Sequence, residues 1–169
     1  MKTKDLQPHS HSLRKGRISE SSQIYFITKC IDRSTGVDLT QEDLAISICE
    51  AVLYRKRKKI WHLLCFVLMP DHLHLLIALG IEISLSKSMG DFSRFTSLNI
   101  NSLLKRQRNL WQNGFYDHSI RRSVEKCPML TEYIHNNPVR KGLCSFPEDW
   151  RWSTAHSTFA CEIESEWFW

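Results

Sequence analysis

The chain has 169 residues, of which 42% are hydrophobic and 24% charged, a balance typical of a soluble globular domain. No apolar run approaches the length needed to span a bilayer, and the first nineteen residues lack the apolar core of a signal peptide. We therefore expect one cytoplasmic domain with its own core. The six cysteines form no C-x-x-C pair, so neither a disulfide scaffold nor a structural zinc site is predicted.

The net charge of +5 is unevenly distributed along the chain. Residues 1–18 hold five lysines and arginines against one acid, and residues 55–59 ("RKRKK") and 105–108 ("KRQR") are also basic. From Glu148 onward the sign reverses, with five acids and one arginine. Basic segments of this kind indicate a phosphate-bearing partner, above all nucleic acid, but they also suit solvated helix ends. The charge distribution alone favours neither interpretation over the other.

The N-terminal half predicts a strand, a helix and a β-hairpin. Residues 23–31 ("QIYFITKCI") are rich in β-branched and aromatic side chains, which favour a strand. A helix is expected from about Thr40, where "TQED" resembles a capping box and apolar residues then recur at helical spacing. Two further strands, 60–69 and 72–79, are separated only by Pro70-Asp71. This turn chemistry predicts an antiparallel pairing.

The C-terminal half predicts a long helix over residues 84–108, a loop with a short strand over 113–121, and a helix from about Pro128. That last helix should stop at Asn137-Pro138, because a residue before proline disfavours the helical conformation. The resulting order of elements predicts an α+β fold, the ferredoxin-like (RRM-like) split βαβ with a central antiparallel sheet.

The apolar segment "FVLMPDHLHLLIAL" carries two histidines separated by one leucine. Residues i and i+2 of a strand share a face, so His72 and His74 present two imidazoles side by side while Leu73 points the other way. Two imidazoles make half of a metal site. The plainer alternative is that both are polar residues on an exposed sheet face, and the spacing alone does not exclude it.

Two residues of "EYIHNNPVRKG" are candidates to complete such a site. Tyr133 and Asn137 are four apart and would lie on one face of a helix. A tyrosine hydroxyl can act as a covalent nucleophile, and an amide oxygen can coordinate a hard cation. Packing at the core rim for Tyr133 and helix termination for Asn137 are the commoner roles, and the residue types alone favour them.

Four motifs in order, "MPDHLHLLI", "WQNGFYDHSIR", "YIHNNPVRKGL" and "PEDWRWSTA", resemble the REP-associated tyrosine transposases (RAYTs). These are HUH single-strand transposases, named for two histidines around a hydrophobic residue. The resemblance extends from about Leu13 to Trp152. It implies that residues 21–155 form the catalytic domain, after a flexible basic arm (1–20) and before a C-terminal tail (156–169).

The resemblance also implies roles for the candidate residues. His72, His74 and Asn137 would bind a divalent metal, Mg²⁺ or Mn²⁺, and Tyr133 would be the nucleophile. Two imidazoles suit a metal softer than magnesium, so we expect manganese to support activity at least as well. The implied reaction cleaves and rejoins single-stranded DNA through a 5′-phosphotyrosine link, with no nucleotide cofactor.

The implied partner is single-stranded or hairpin DNA from palindromic repeats of a bacterial genome, bound by a protein that is nucleoid-associated when engaged. A monomer is expected, with a dimer as the alternative. We expect DNA contacts from Arg14, Lys15, Arg17, Arg121, Arg122 and Trp111. Tyr116 is a further stacking candidate, and His118 suits a surface position better than an active-site one. The rival interpretation is a non-catalytic module that binds hairpin DNA or RNA on the same fold.

Overall fold

One four-stranded antiparallel sheet carries helices on both of its faces. A computed structural model describes residues 23–80, 83–120 and 126–164. The strands lie in the order β2-β3-β1-β4. Along the chain the elements are β1 (Ile24–Cys30), α1 (Glu42–Arg57), β2 (Trp61–Leu68), β3 (His72–Leu79), α2 (Leu85–Leu103), β4 (Tyr116–Ile120), α3 (Lys126–His135), α4 (Asn137–Arg140) and α5 (Ser157–Ala160). The predicted α+β class and ferredoxin-like topology are confirmed. No helix among these residues is long and apolar enough to cross a membrane.

The predicted hairpin of β2 and β3 is confirmed, but the predicted cap of α1 is wrong. The helix begins after Gln41, whose side chain makes no cap hydrogen bond. Thr40 Oγ1 instead donates to the carboxylate of Asp38 at 2.6 Å. Glu42 and Asp43 give the first turn negative charge, which the positive end of the helix dipole favours.

The two faces of the sheet pack against different helices. On one face, α1 and α2 enclose the larger core, in which Trp61, Phe66 and Phe92 are fully buried. On the other face, a smaller cluster joins strand residues to Cys127 and Ile134 of α3. Because strand side chains alternate between faces, β1, β2 and β3 each contribute to both clusters. The candidate site lies on the α3 face.

The outer edge of β2 is covered by the C-terminal part of the chain. Main-chain hydrogen bonds join Trp152, Thr154 and Glu164 to β2. Phe159 of α5 packs on Phe66 with ring centroids 5.2 Å apart. The described part of the predicted tail thus docks on the sheet, and it pairs groups that an open edge would expose.

α3 begins two residues before the predicted start at Pro128 and ends two residues before the predicted stop at Asn137. Pro128 is its third residue, a position whose N–H would have no helical acceptor. The helix ends at His135, and the chain then makes another short helical segment, α4, that begins at Asn137 with Pro138 in its first turn. This arrangement keeps Tyr133 and Asn137 close, although they belong to different helices.

Candidate active site

His72 and His74 lie at the start of β3 with their rings facing each other. Their Nε2 atoms are 3.1 Å apart, and the ring planes meet at 77°. Leu73 between them is fully buried in the core on the other face, as strand alternation requires. The predicted side-by-side arrangement of two imidazoles is therefore observed.

Each ring is oriented by a contact to its other nitrogen. His72 Nδ1 lies 2.6 Å from the Asp71 carboxylate, which accepts hydrogen bonds when ionised, so Nδ1 carries a proton. His74 Nδ1 lies 2.9 Å from Thr28 Oγ1, a hydroxyl that can donate or accept. If Thr28 accepts, both Nε2 lone pairs point to one place; if it donates, His74 Nε2–H donates to His72. The first state suits a bound cation, and the second satisfies the pair without one.

Burial keeps His74 neutral. The residue is only 7% exposed. Burial, helped by the neighbouring His72, lowers the pKa of His74 to about 3, although the Asp71 charge acts in the opposite direction. The neutral imidazole is the form that binds a metal.

The spacing of the two imidazoles fits a shared divalent cation. Two ligands at about 2.1 Å from one metal and at right angles to each other lie about 3 Å apart, close to the observed 3.1 Å between the Nε2 atoms. No group of three or more His, Cys, Asp or Glu side chains suited to a metal occurs among the described residues. The pair would therefore need other oxygen ligands, from an amide, water or a substrate phosphate.

Tyr133 lies on α3, beside the histidines and open to solvent. It is 44% exposed. The ring of Phe26 separates it from the pair: Phe26 lies 5.4 Å from the His74 ring and 6.2 Å from the Tyr133 ring, measured between centroids. The Arg140 guanidinium stacks 4.9 Å above the Tyr133 ring. The phenol is thus held between an aromatic edge and a cation.

The side chain of Asn137 is buried, and its nitrogen is already engaged. Nδ2 donates to Tyr133 O at 3.0 Å and to Ile134 O at 3.2 Å. Carbonyls only accept, so this contact assigns the amide orientation. Oδ1 is then the atom that could coordinate a cation. Asn137 also closes the last turn of α3, as the alternative interpretation proposed, so both roles remain compatible.

A buried hydrogen-bond centre anchors the end of α3 to the sheet. His135 Nε2 lies 2.9 Å from Thr154 Oγ1, which also accepts from Phe66 N–H at 3.0 Å and donates to Phe66 O at 3.1 Å. Burial lowers the pKa of His135 to about 4, so its neutral Nε2–H donates to Thr154. This contact gives the "PEDWRWSTA" motif a function: it fixes the helix that carries Tyr133.

Of the predicted DNA contacts, Trp111 and the further stacking candidate Tyr116 lie within the described residues. Arg14, Lys15, Arg17, Arg121 and Arg122 lie outside them. Trp111 is 5% exposed and its Nε1–H donates to Thr96 Oγ1 at 2.8 Å. A stacking residue must expose a ring face, so this burial argues against the role predicted for Trp111.

Two of the five cations in the basic run at residues 55–59 are engaged within the molecule. Arg55 is 6% exposed and its guanidinium stacks on Trp61 and Phe92. Lys56 pairs with Glu162 at 2.7 Å. These contacts remove both side chains from a nucleic-acid surface, whereas residues 57–59 are exposed.

A groove of about 1020 Å³, lined by both polar and apolar side chains, lies between α2 and residues 108–115. Its lining includes Arg94, Arg108 and several serines and asparagines. Lys29 lines it from the face of β1 opposite Thr28. None of the candidate metal ligands or Tyr133 contributes to this groove, so it is separate from the histidine pair.

Sequence reasoning missed the residues that support the pair. Asp71 immediately precedes His72, and its position could have suggested the contact. Phe26 and Thr28 share one face of β1, but only the pairing of β1 with β3 shows that this face holds the histidines.

Comparison with known proteins now gives the family. Residues 20–137 match the family described as Transposase IS200 like. The chain belongs to this family. The resemblance stated from the four motifs is thereby confirmed, and the family membership indicates a DNA-processing protein.

Individual relatives agree with this assignment. The chain is 32% identical over 111 residues to a candidate REP-associated tyrosine transposase of Haemophilus influenzae, covering 59% of this chain and 61% of the relative. It is 28% identical over 118 residues to a REP-associated tyrosine transposase of Escherichia coli, covering 65% and 64%. It therefore spans less than two thirds of the length of these relatives.

A solved structure is similar in fold. The structure of a REP-associated tyrosine transposase bound to a REP hairpin superposes with a TM-score of 0.64 at 24% identity. The match covers 82% of this chain and 79% of that one. It supports the ferredoxin-like assignment.

Proposed function

We propose that this IS200-like family member is a metal-dependent tyrosine transposase that cleaves and rejoins single-stranded DNA bearing hairpins of palindromic repeats. The observation that carries the proposal is the convergence of two Nε2 atoms, 3.1 Å apart, on the sheet face beside which α3 exposes Tyr133. The transposase of similar fold is bound to a REP hairpin, which supports the same class of partner for this chain.

The proposed chemistry is an in-line phosphoryl transfer. Tyr133 Oη attacks a backbone phosphorus and loses its proton, and the P–O3′ bond breaks. The products are a 5′-phosphotyrosine link and a 3′-hydroxyl, whose oxygen takes up a proton. Rejoining is the reverse attack by a 3′-hydroxyl. The covalent link retains the phosphodiester energy, so no nucleotide cofactor is required.

The chain supplies position and charge for this step. His72, His74 and Asn137 Oδ1 would hold a magnesium or manganese ion, which would polarise the scissile phosphate. Arg140, stacked on the Tyr133 ring, orients the phenol and brings positive charge to the attacking group. Phe26 fills the space between nucleophile and ligands.

The decisive experiment is a covalent-adduct assay. Wild-type protein and Tyr133→Phe are mixed with labelled hairpin DNA from the repeats of the source genome, with manganese, with magnesium and with chelator. We expect a denaturant-resistant protein–DNA band that needs a metal and is absent in the variant. Phenylalanine keeps the ring contacts to Phe26 and Arg140, so loss of the adduct would report the hydroxyl alone.

Other outcomes would redirect the interpretation. An adduct that persists in Tyr133→Phe would place the nucleophile elsewhere. Tight hairpin binding without an adduct in any metal would favour the non-catalytic binding module.

The metal assignment has its own test at Thr28. Thr28→Val removes the hydroxyl that contacts His74 Nδ1 at 2.9 Å, and Thr28→Ser keeps it. Loss of such a supporting contact typically lowers metal affinity or activity about 10- to 100-fold. We expect that loss in the valine variant, measured by manganese titration of the free protein, and near-parental affinity in the serine variant. Equal affinities in both variants would argue against His74 as a ligand.

A further inference from the structure

The strand β4 places two rings on the same sheet face as the histidine pair. In the antiparallel register, His74 lies opposite Thr28, and Thr28 lies opposite Tyr116. His118 lies opposite Phe26. Directly opposed residues of antiparallel strands share a face, and the hydrogen bond between Thr28 Oγ1 and His74 confirms which face this is. We call Tyr116 and His118 the β4 strip.

Both residues of the β4 strip are exposed. Tyr116 is 40% exposed, and His118 is also exposed. At the other end of β4, Ile120 is buried in the cluster with Cys127 and Ile134 of α3. α3 therefore covers only one end of the strand. At the opposite edge of the sheet, the C-terminal segment covers β2. A DNA strand that extends from the histidines toward β4 would instead meet the two exposed rings.

The distances suit the nucleotides next to the reacting phosphate. Neighbouring strands are about 4.8 Å apart, so the Tyr116 backbone lies about 10 Å from that of His74, two strands away. Along β4, residues two apart are separated by about 6.8 Å. Stacked bases are about 3.4 Å apart, so the two rings would each take one base of an unstacked strand.

We propose that the β4 strip, Tyr116 with His118, is a stacking platform for unpaired bases that flank the scissile phosphate. This inference rests on the proposed function, because that function places the phosphate at the histidine pair. Tyr116 is a positioning residue: its ring holds a base, and the base holds the backbone over His72 and His74. Stacking tolerates any base, since every base has an aromatic face.

The test is a thermodynamic cycle between protein and DNA. The affinity of Tyr133→Phe protein, which cannot react, is measured for a DNA hairpin with single-stranded thymidine flanks. It is then measured for a matched set of DNAs in which each flank position in turn is abasic. Alanine substitution of a stacking residue typically weakens binding about 5- to 100-fold. We expect a loss in this range for Tyr116→Ala, and little further loss when the partner base is abasic.

Three variants distinguish loss of the Tyr116 ring from a general effect on folding. Tyr116→Phe keeps the aromatic face and should bind like the parent. Tyr54→Ala removes a ring that is 49% exposed on α1 and should show no coupling to any abasic site. His118→Ala should couple to a neighbouring flank position. Melting curves of all variants establish that each is folded before binding is compared.

The outcomes separate this inference from the chemistry. Coupling at Tyr116 together with no adduct formation by the wild type supports the platform and overturns the proposed reaction. Adduct formation by the wild type, with equal losses from abasic sites in Tyr116→Ala and in the parent, overturns the platform. A loss in Tyr116→Phe equal to that in Tyr116→Ala also overturns it, because stacking needs only the ring.

Discussion

Thr154→Val tests whether a distant hydrogen-bond centre holds the helix that carries Tyr133. Valine has the shape of threonine but no hydroxyl, and Thr154 Oγ1 serves both Phe66 and His135. Leaving the buried Phe66 N–H unpaired costs about 1–3 kcal/mol, and loss of the His135 bond about 0.5–1.5 kcal/mol. We expect the free energy of unfolding to fall by about 3 kcal/mol and the melting temperature by about 6–12 °C.

Two matched substitutions control this prediction. Thr154→Ser keeps the hydroxyl and should retain most of the stability. Thr131→Val removes a buried α3 hydroxyl that lies against the Cys65 thiol, a weak hydrogen-bonding group, so it should change the stability much less than Thr154→Val. Urea unfolding gives the free energies, and the adduct rate is measured well below all melting temperatures. If Thr154→Val melts within about 2 °C of the parent, the centre does not anchor α3 and the reasoning fails.

Three further substitutions and one chemical measurement test the packing directly. A Cβ at Gly80 would clash with the carbonyl oxygen of Lys59. Gly80→Ala should therefore lower the free energy of unfolding, measured in urea, by about 3 kcal/mol or more. A Cβ at Gly90 would meet no atom within 4 Å, so Gly90→Ala should stabilise α2 by up to about 1 kcal/mol. If Gly90→Ala destabilised the protein more than Gly80→Ala, the described backbone around the two glycines would be wrong. Burial raises the pKa of the Cys65 thiol to about 12, whereas Cys161 is exposed. A thiol reagent at neutral pH should therefore label Cys161 quickly and Cys65 only on unfolding. Cys161→Ser should lower the amplitude of the fast phase and leave the labelling of the half-buried Cys30 and Cys144 unchanged.

The sequence was sufficient where a local rule determines the structure. Strand alternation placed His72 and His74 on one face without any knowledge of the neighbours. The two-residue gap at Pro70-Asp71 required a hairpin, and the order of elements then left few topologies to consider. The end of α3 came within two residues of the predicted position, but not for the predicted reason, because Asn137 before the proline is itself helical in α4.

The sequence was insufficient where a contact joins distant segments. Thr28 and Phe26 reach the site because β1 pairs with β3, and no local pattern encodes that choice. Arg55 looked like part of a solvated basic run, yet three aromatic rings around it make burial of its cation possible. Trp111 resembled a stacking residue for the same reason that it packs well: a large ring serves either purpose, and only tertiary context decides.

The two halves of the candidate site are held in different ways: the histidines by the sheet, and Tyr133 by the contacts of one short helix. The histidines lie on a central strand, where the sheet fixes them on both sides. In the proposed reaction Tyr133 must instead reach solvent to meet DNA, and α3, a helix of ten residues, would be only marginally stable alone. Its position therefore depends on two tertiary contacts, Ile134 in the sheet cluster and Thr154 through His135. Local hydrogen bonds from Asn137 support its last turn. Substitutions at these anchors should lower the adduct rate more than the affinity for DNA, because they move the nucleophile and leave the β4 strip in place.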